Sequence, residues 1–406
     1  MTSIEDRLAA AGLPPLPRLA WLEIDLDALV ANLGVLRGLA GPATSVHPVV
    51  KADAYGHGAT PVAAALVRAG VDGLCVATLD EALALRAGGI TGPIHVLYPI
   101  PASGVGDAAT AGLSVTIGDE ASERSLAAAA AALPPGTPEL AVHLEVETGL
   151  GRGGVAVDAL AGSLDRLART PGLRPAALWT HLQAPEDADR TVAQLARFED
   201  ASRMARATGV DLPRHAAASA GILAGNVPAY DGVRPGLALY GLVPDELPAD
   251  SPGALAGAAL RPVMSLHARP VRVADLPAGW GISYGPAFTT ERPSRIATLP
   301  FGYGDGWSRA LSNRAEALVR GRRVPLVGRV AMDAIMIDVT DVPGPPVDTD
   351  DAFVLIGSQG DQAITVADVA QLCTTNAWEV VTSMARRVPR VYHAASGPLG
   401  VRTLLG

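Results

Sequence analysis

Lysine is all but missing from this chain. Of its 406 residues 32 are lysine or arginine, and a single one of those, Lys51, is a lysine. Cysteine is as scarce, with Cys75 and Cys373 alone. Two cysteines cannot build the disulfide framework of a small secreted domain, so a reducing, cytoplasmic setting is expected. Charged residues make up 18% of the chain against 49% hydrophobic ones, which is too little charge for a disordered polymer. The balance is acidic, net −9, and a chain of that sign is a poor phosphate-backbone binder, so nucleic acid is not expected as a partner. No apolar run approaches the ~18 residues of a membrane helix. The first ten residues carry Glu5, Asp6 and Arg7 in place of an apolar stretch, and no secretion signal is expected there.

What is present is a large apolar inventory arranged in short runs. Candidate strands are Val46–Val50, Gly73–Ala77, Ile94–Tyr98, Leu113–Ile117, Leu140–Val146, Ala176–Thr180, Arg214–Ala218 and Asp231–Pro235. Helical signals lie between most of them. Thr60-Pro61 reads as a cap with proline at the first helical position, closed by Gly70. Thr78 and Glu81 have capping-box spacing, with Gly88 as the stop. Leu195, Phe198 and Ser202 share a face in the stretch ending before Gly209. Alternation of this kind predicts an α/β chain whose N-terminal part is a (β/α)8 TIM-type barrel. An open doubly wound sheet is the alternative, but no Gly-x-Gly-x-x-Gly turn follows the first strand.

Beyond about residue 255 the pattern becomes mostly β. Pro262–Val273, Arg295–Leu299, Ala317–Val319, Val324–Val330, Ile335–Val339 and Phe353–Ile356 read as strands, with helix only near Val366–Leu372 and Ala377–Ala385. The Pro-rich stretch Val243–Gly253 reads as a linker. The expected division is a barrel over 1–250, its first ~20 residues an extension, and a mostly β C-terminal domain over 251–406.

The lone lysine has a chemical reading. Unlike a guanidinium, an amine can lose its proton and attack a carbonyl to form an imine. Compositional drift leaves a stray lysine too, and the count alone does not choose. Position is more informative. Lys51, Arg152, His181, Ser219, Arg234 and Gly236 all fall at the C-terminal ends of predicted strands, the face on which barrels of this kind build active sites. Ser219 and Gly236 follow strands seven and eight, a common phosphate position. A lysine able to form an imine near a phosphate site points to pyridoxal phosphate (PLP). Each residue also has an ordinary reading. Lys51 is then a surface charge, although Pro48-Val49-Val50 runs straight into it. Tyr55 and His57 pack a turn, His181 is a core histidine, and Arg152 and Arg234 form structural ion pairs. Tyr284 is an aromatic in a turn and Met332 a core residue. The joint placement favours the functional reading.

Val49-Val50-Lys51-Ala52-Asp53-Ala54-Tyr55-Gly56-His57-Gly58 resembles the cofactor-lysine signature of the alanine racemase family, which are fold-type III PLP enzymes. Thr180-His181, the run Arg234–Gly241, Ser283-Tyr284-Gly285, Gly302–Gly306 and the run Gly328–Asp333 resemble further pieces of that family in its order, from about Trp21 to Tyr392. The resemblance implies that Lys51 carries PLP through an imine and serves as one of two bases. It implies that Tyr55, Ser219 and the backbone of Gly236 and Leu237 bind the phosphate. Arg234 would face the pyridine nitrogen. A permanently protonated guanidinium there keeps that nitrogen unprotonated and the ring a weaker electron sink. Tyr284 would be the second base, assisted by His181, while Arg152 and the backbone of Met332 would orient the substrate carboxylate. In the family the tyrosine and methionine segments come from a partner subunit, which implies a head-to-tail homodimer with shared sites. The implied activity is interconversion of L- and D-alanine, supplying D-alanine for peptidoglycan.

Three positions depart from the family pattern. Glu145 stands seven residues before Arg152, where many members carry a carboxylated lysine, and it would bring its own carboxylate. Ala218 stands where many have asparagine, and Arg386 where some have a phosphate-binding tyrosine. A racemase for serine or for a broad range of amino acids fits the same motifs, because side-chain selection rests on pocket volume. A decarboxylase or lyase on the same barrel is a second alternative. A zinc-dependent form would draw on Cys373 and His393, where nothing suggests a site, so no metal is expected. A non-catalytic PLP-binding protein is a third, opposed by the β domain that carries Tyr284 and Met332.

Overall fold

Eight short parallel strands close into a ring in the computed structural model, which describes residues 3–248 and 251–404. The chain divides into two compact units. One holds Leu29–Ala54 and Ala59–Arg261, the other Met1–Ala28, Tyr55–Gly58 and Pro262–Gly406. The expected linker Val243–Gly253 falls partly on 249 and 250, which lie outside the described residues.

The ring strands are β1 (Ser45–Val46), β2 (Leu74–Val76), β3 (Ile94–Val96), β4 (Ser114–Ile117), β5 (Leu140–Glu145), β6 (Leu173–Trp179), β7 (Arg214–Ala218) and β8 (Gly232–Arg234). Each pairs in parallel with its neighbour, and β1 pairs with β8 through Ser45–Gly232 and Val46–Val233. A bridge between Val49 and Cys75 joins the extension of β1 to β2 and completes the circle. The expected strand Val46–Val50 is interrupted for a local reason. Pro48 has no N–H, so regular pairing lapses there, yet His47 N still donates to Val233 O (2.9 Å) and Val49 N to Pro235 O (2.8 Å). Helices connect the strands, among them Ala59–Arg68, Leu79–Ala87, Glu120–Ala131, Leu160–Ala168 and Ala188–Ala207. The last buries Thr191, Gln194, Phe198, Ala201, Ser202 and Ala205 along one face. The (β/α)8 reading therefore holds.

The second unit is mostly β, as expected, but it takes in the N-terminal segment. Ala20–Asp25 pairs antiparallel with Met264–Ala268 and parallel with Arg390–Ala394. The single strand expected over Pro262–Val273 is two, Met264–Ala268 and Arg272–Leu276, in different sheets. Pro270, between them, has no N–H to continue a ladder. No helix among the described residues is long and apolar enough to cross a membrane.

The barrel interior is unusual. Such interiors are commonly filled by branched aliphatic side chains. Here His95 and His143 stack with ring centroids 4.0 Å apart, His215 meets His143 at 5.5 Å, and Trp179 lies parallel to His215 at 6.0 Å. His47 joins them around a cavity of about 330 Å³. Burial drives all four imidazoles toward the neutral form. His143 falls to about 3, and His95 and His215 lie well below the usual value, with the nearby Arg234 cation adding to the shift. An unfolded histidine titrates near pH ~6.5, so their full contribution to stability is present above that pH. Below it the unfolded chain takes up protons that the folded chain refuses, and stability falls by at most about 1.4 kcal/mol per pH unit for each such residue. Urea unfolding followed from pH 6.5 to 5 should therefore show steep acid destabilisation. His95→Leu should lower the slope by about one proton, whatever it does to stability at pH 8. An unchanged slope would mean that His95 accepts its proton in the folded state.

Candidate active site

The extension of β1 ends at Lys51, and the backbone then makes a turn of the wrong hand. Ala52, Asp53, Ala54 and Tyr55 all have positive φ, between 51° and 56°. For residues with a Cβ, left-handed helix costs about 1–2 kcal/mol each. Local hydrogen bonds hold it: Ala54 N donates to Val50 O (2.9 Å), Ala52 N to Glu81 Oε1 (2.6 Å) and Ala59 N to Asp53 Oδ1 (2.8 Å). Glu81 Oε2 also accepts from Ala77 N (2.8 Å) and Thr78 N (3.3 Å). The expected capping box forms, and its glutamate doubles as a clamp on the strained turn that presents Lys51.

Lys51 is half-buried, and its amine loses its proton more readily than an ordinary lysine. Burial is the main cause, and the Arg152 and Arg234 cations add to it, against the pull of Glu81. That is the state a nucleophilic amine needs. Arg234, at the end of β8, is buried. It donates to His215 Nδ1, to His215 O (3.1 Å), to Thr180 O (2.9 Å) and to Ala216 O (3.3 Å), and it lies 4.8 Å from the Trp179 ring centre. Burial lowers it to about 10, which leaves it charged at neutral pH. His181, after β6, falls to about 3 through burial and the same cations, so it is a neutral imidazole.

Arg152 follows β5 in a glycine-rich loop. Gly154 (φ 124°) sits where a Cβ would collide with the backbone of Glu147, so the return of this loop requires glycine. Arg152 Nη2 reaches Glu145 Oε1 at 3.4 Å, and its guanidinium lies 5.5 Å from the Tyr98 ring centre. Glu145 is buried, and burial raises it above the usual carboxylate value against the pull of Arg152. After β7 and β8, Ser219 Oγ accepts from Gly236 N (2.9 Å) and Ala238 N (3.1 Å), and Leu237 is buried beside them.

Lys51, Arg152, His181, Ser219, Arg234, Gly236 and Leu237 thus share the barrel unit. Tyr55, Tyr284, Met332 and Arg386 belong to the second unit. There Tyr55 is buried, and its carbonyl accepts from His57 Nδ1 at 2.9 Å. Tyr284 is 75% exposed and Met332 53% exposed. The Gly-Tyr-Gly-Asp-Gly piece is an internal brace, because Asp305 binds both Arg18 and Arg387 at 2.7 Å. Among the described residues no group of three or more His, Cys, Asp or Glu is placed to hold a metal ion. Sequence reasoning missed His215, Glu81 and Tyr98. His215 was within reach, since strand alternation along Arg214–Ala218 sets it apart from its neighbours.

Two family models match the chain, the alanine racemase N-terminal domain over residues 24–244 and the alanine racemase C-terminal domain over 263–392. An alanine racemase of Desulfosudis oleivorans is 39% identical over 390 residues, covering 92% of this chain and 96% of the relative. One from Symbiobacterium thermophilum is 41% identical, covering 92% and 97%. Among solved structures, alanine racemase from Bacillus anthracis with bound L-Ala-P superposes with a TM-score of 0.87 at 33% identity, covering 97% of this chain and 99% of that one. Alanine racemase from Bartonella henselae with covalently bound pyridoxal phosphate gives 0.79 at 30% identity, covering 93% and 100%. The chain belongs to the alanine racemase family.

Proposed function

We propose that the protein interconverts L- and D-alanine with PLP, by two bases, and supplies D-alanine for peptidoglycan in the cytoplasm. The observation that carries this is the placement of the chain's one lysine, its amine made easier to deprotonate by burial and by Arg152 and Arg234. The residues present fit the cofactor. Ser219 with the backbone of Gly236 and Leu237 offers a buried, neutral cradle suited to phosphate, and the family resemblance adds Tyr55 as a phosphate ligand. Arg234, with neutral hydrogen-bond acceptors along its guanidinium, suits an unprotonated ring nitrogen. When bound, PLP makes the α-hydrogen of an attached amino acid acidic by drawing off the electron pair left behind.

This chain's residues do the rest. Lys51 holds the cofactor and moves the proton of the D-enantiomer. Tyr284 moves that of the L-enantiomer, with His181 assisting by hydrogen bond. Arg152 and the backbone of Met332 orient the carboxylate, and Glu145 holds Arg152 without need of a carboxylated lysine. The exposure of Tyr284 and Met332 supports a head-to-tail homodimer in which each is lent to the other copy's site.

The test is a racemisation assay across L-alanine, L-serine, L-lysine and L-glutamate, with alanine expected to dominate; comparable turnover of serine would favour the broad-range reading. Tyr284→Phe should separate the two half-reactions. In deuterated water it should still exchange the α-hydrogen of D-alanine, while exchange of L-alanine falls by orders of magnitude. Equal loss for both enantiomers would remove Tyr284 from the base role. Glu145→Gln should raise KM for alanine by about two- to fivefold, the range of a partly exposed ion pair, with the cofactor retained and no response to added bicarbonate. Wild-type KM in this variant would make Glu145 a bystander.

A further inference from the structure

We propose that Tyr98 is a positioning residue for Arg152, supplying the face contact that completes the edge contact from Glu145; this rests on the reading of Arg152 as the carboxylate-orienting residue. The ion pair alone leaves slack. Its 3.4 Å separation is long beside the ~2.7–2.9 Å of a tight charge-assisted hydrogen bond, and it engages one Nη only. A single edge contact leaves a guanidinium free to rotate about the axis of that contact. Packing over an aromatic ring limits that freedom, and Arg152 Cζ lies over the Tyr98 ring, 5.5 Å from its centre and within cation–π range.

The chain makes Tyr98 a rigid platform. Tyr98 continues β3 toward the catalytic end of the ring: Leu97 N donates to Val76 O at 2.9 Å and Tyr98 N to Ala77 O at 3.2 Å. Pro99 follows and confines the Tyr98 backbone to extended conformations. Pro99 and Glu145 both lie against Gly118. A Cβ built on Gly118 would lie 3.4 Å from Pro99 Cγ and 3.9 Å from Glu145 Oε2. The segment that carries the aromatic face and the carboxylate that holds the edge are therefore packed around one glycine. Tyr98 is 42% exposed, so its contact with Arg152 is partly solvated.

The test uses the full-length, PLP-loaded protein with Tyr98→Phe and Tyr98→Leu. Three quantities are read: KM and kcat for both alanine enantiomers, the inhibition constant of acetate as a bare carboxylate, and the visible absorbance of the cofactor. Tyr98→Leu should raise KM and the acetate constant together by about two- to fivefold, the worth of a partly exposed cation–π contact, with kcat and absorbance unchanged. Tyr98→Phe keeps the ring and should match the wild type. Wild-type constants in Tyr98→Leu, or equal damage in both variants, overturn the proposal. If the wild type fails to racemise alanine, the functional reading fails instead, and acetate binding followed by 13C NMR line broadening still reads the contribution of Tyr98.

Discussion

A buried guanidinium whose hydrogen-bond partners are all neutral governs the centre of this barrel. Arg234 is satisfied by three carbonyls and the Nδ1 of His215, and none of these carries charge to cancel its own. Burying a cation on such terms is costly. The cation in turn adds to the effect of burial on what surrounds it. It helps to lower Lys51, His181, His215, His143, His95 and His47. Protonation of any of those imidazoles would put a second charge in the same buried space, so the arginine reinforces a histidine core that burial already keeps neutral. The Cys75 thiol completes the picture. Burial pushes it up to about 12 despite the cation, so it is no competing nucleophile in the ring.

The strain next to Lys51 follows the same pattern of local cost held by distributed support. Four consecutive left-handed residues are unfavourable in isolation, and the support comes from elements that would exist anyway. Glu81 already caps its helix, and Asp53 already lies inside the turn. Asp53 also explains why the helix after the turn does not begin at the expected cap. With Asp53 Oδ1 accepting from Ala59 N, the helix starts at Ala59, and Thr60 is inside it.

Much of this architecture was legible in the sequence, because barrel strands are short apolar runs bounded by breakers and their carboxyl ends can be counted off. Arg214–Ala218 is read to the residue. The left-handed turn was not legible: alanine and tyrosine disfavour positive φ, aspartate visits it only as a single residue, and only the flanking Gly56 and Gly58 hint at an unusual path. Ala20–Asp25 was missed because its partners, Met264–Ala268 and Arg390–Ala394, come from the far end of the chain, and no local pattern reports such a pairing. Of the site, Lys51 was legible through its rarity and Arg234 through its strand end. The contact of Tyr98 with Arg152 was not, since it joins the loops after two strands that are not adjacent in the ring.

The rarity of lysine itself has a structural counterpart. Arginine here is used heavily to tie off carbonyl groups. Arg390, fully buried, donates to the carbonyls of Gly56, Met384, Ala385 and Val388. Arg86 gathers those of Ile90, Gly92, Ala111 and Gly112. A planar fork of five N–H donors can span several carbonyls at fixed geometry, whereas an ammonium on a flexible stem cannot. Guanidiniums also stay protonated and form no imines under conditions where an amine does. A chain that braces itself with arginine therefore leaves Lys51 as its one side-chain amine open to an aldehyde. The same choice stabilises the loops and keeps the chemistry at a single place.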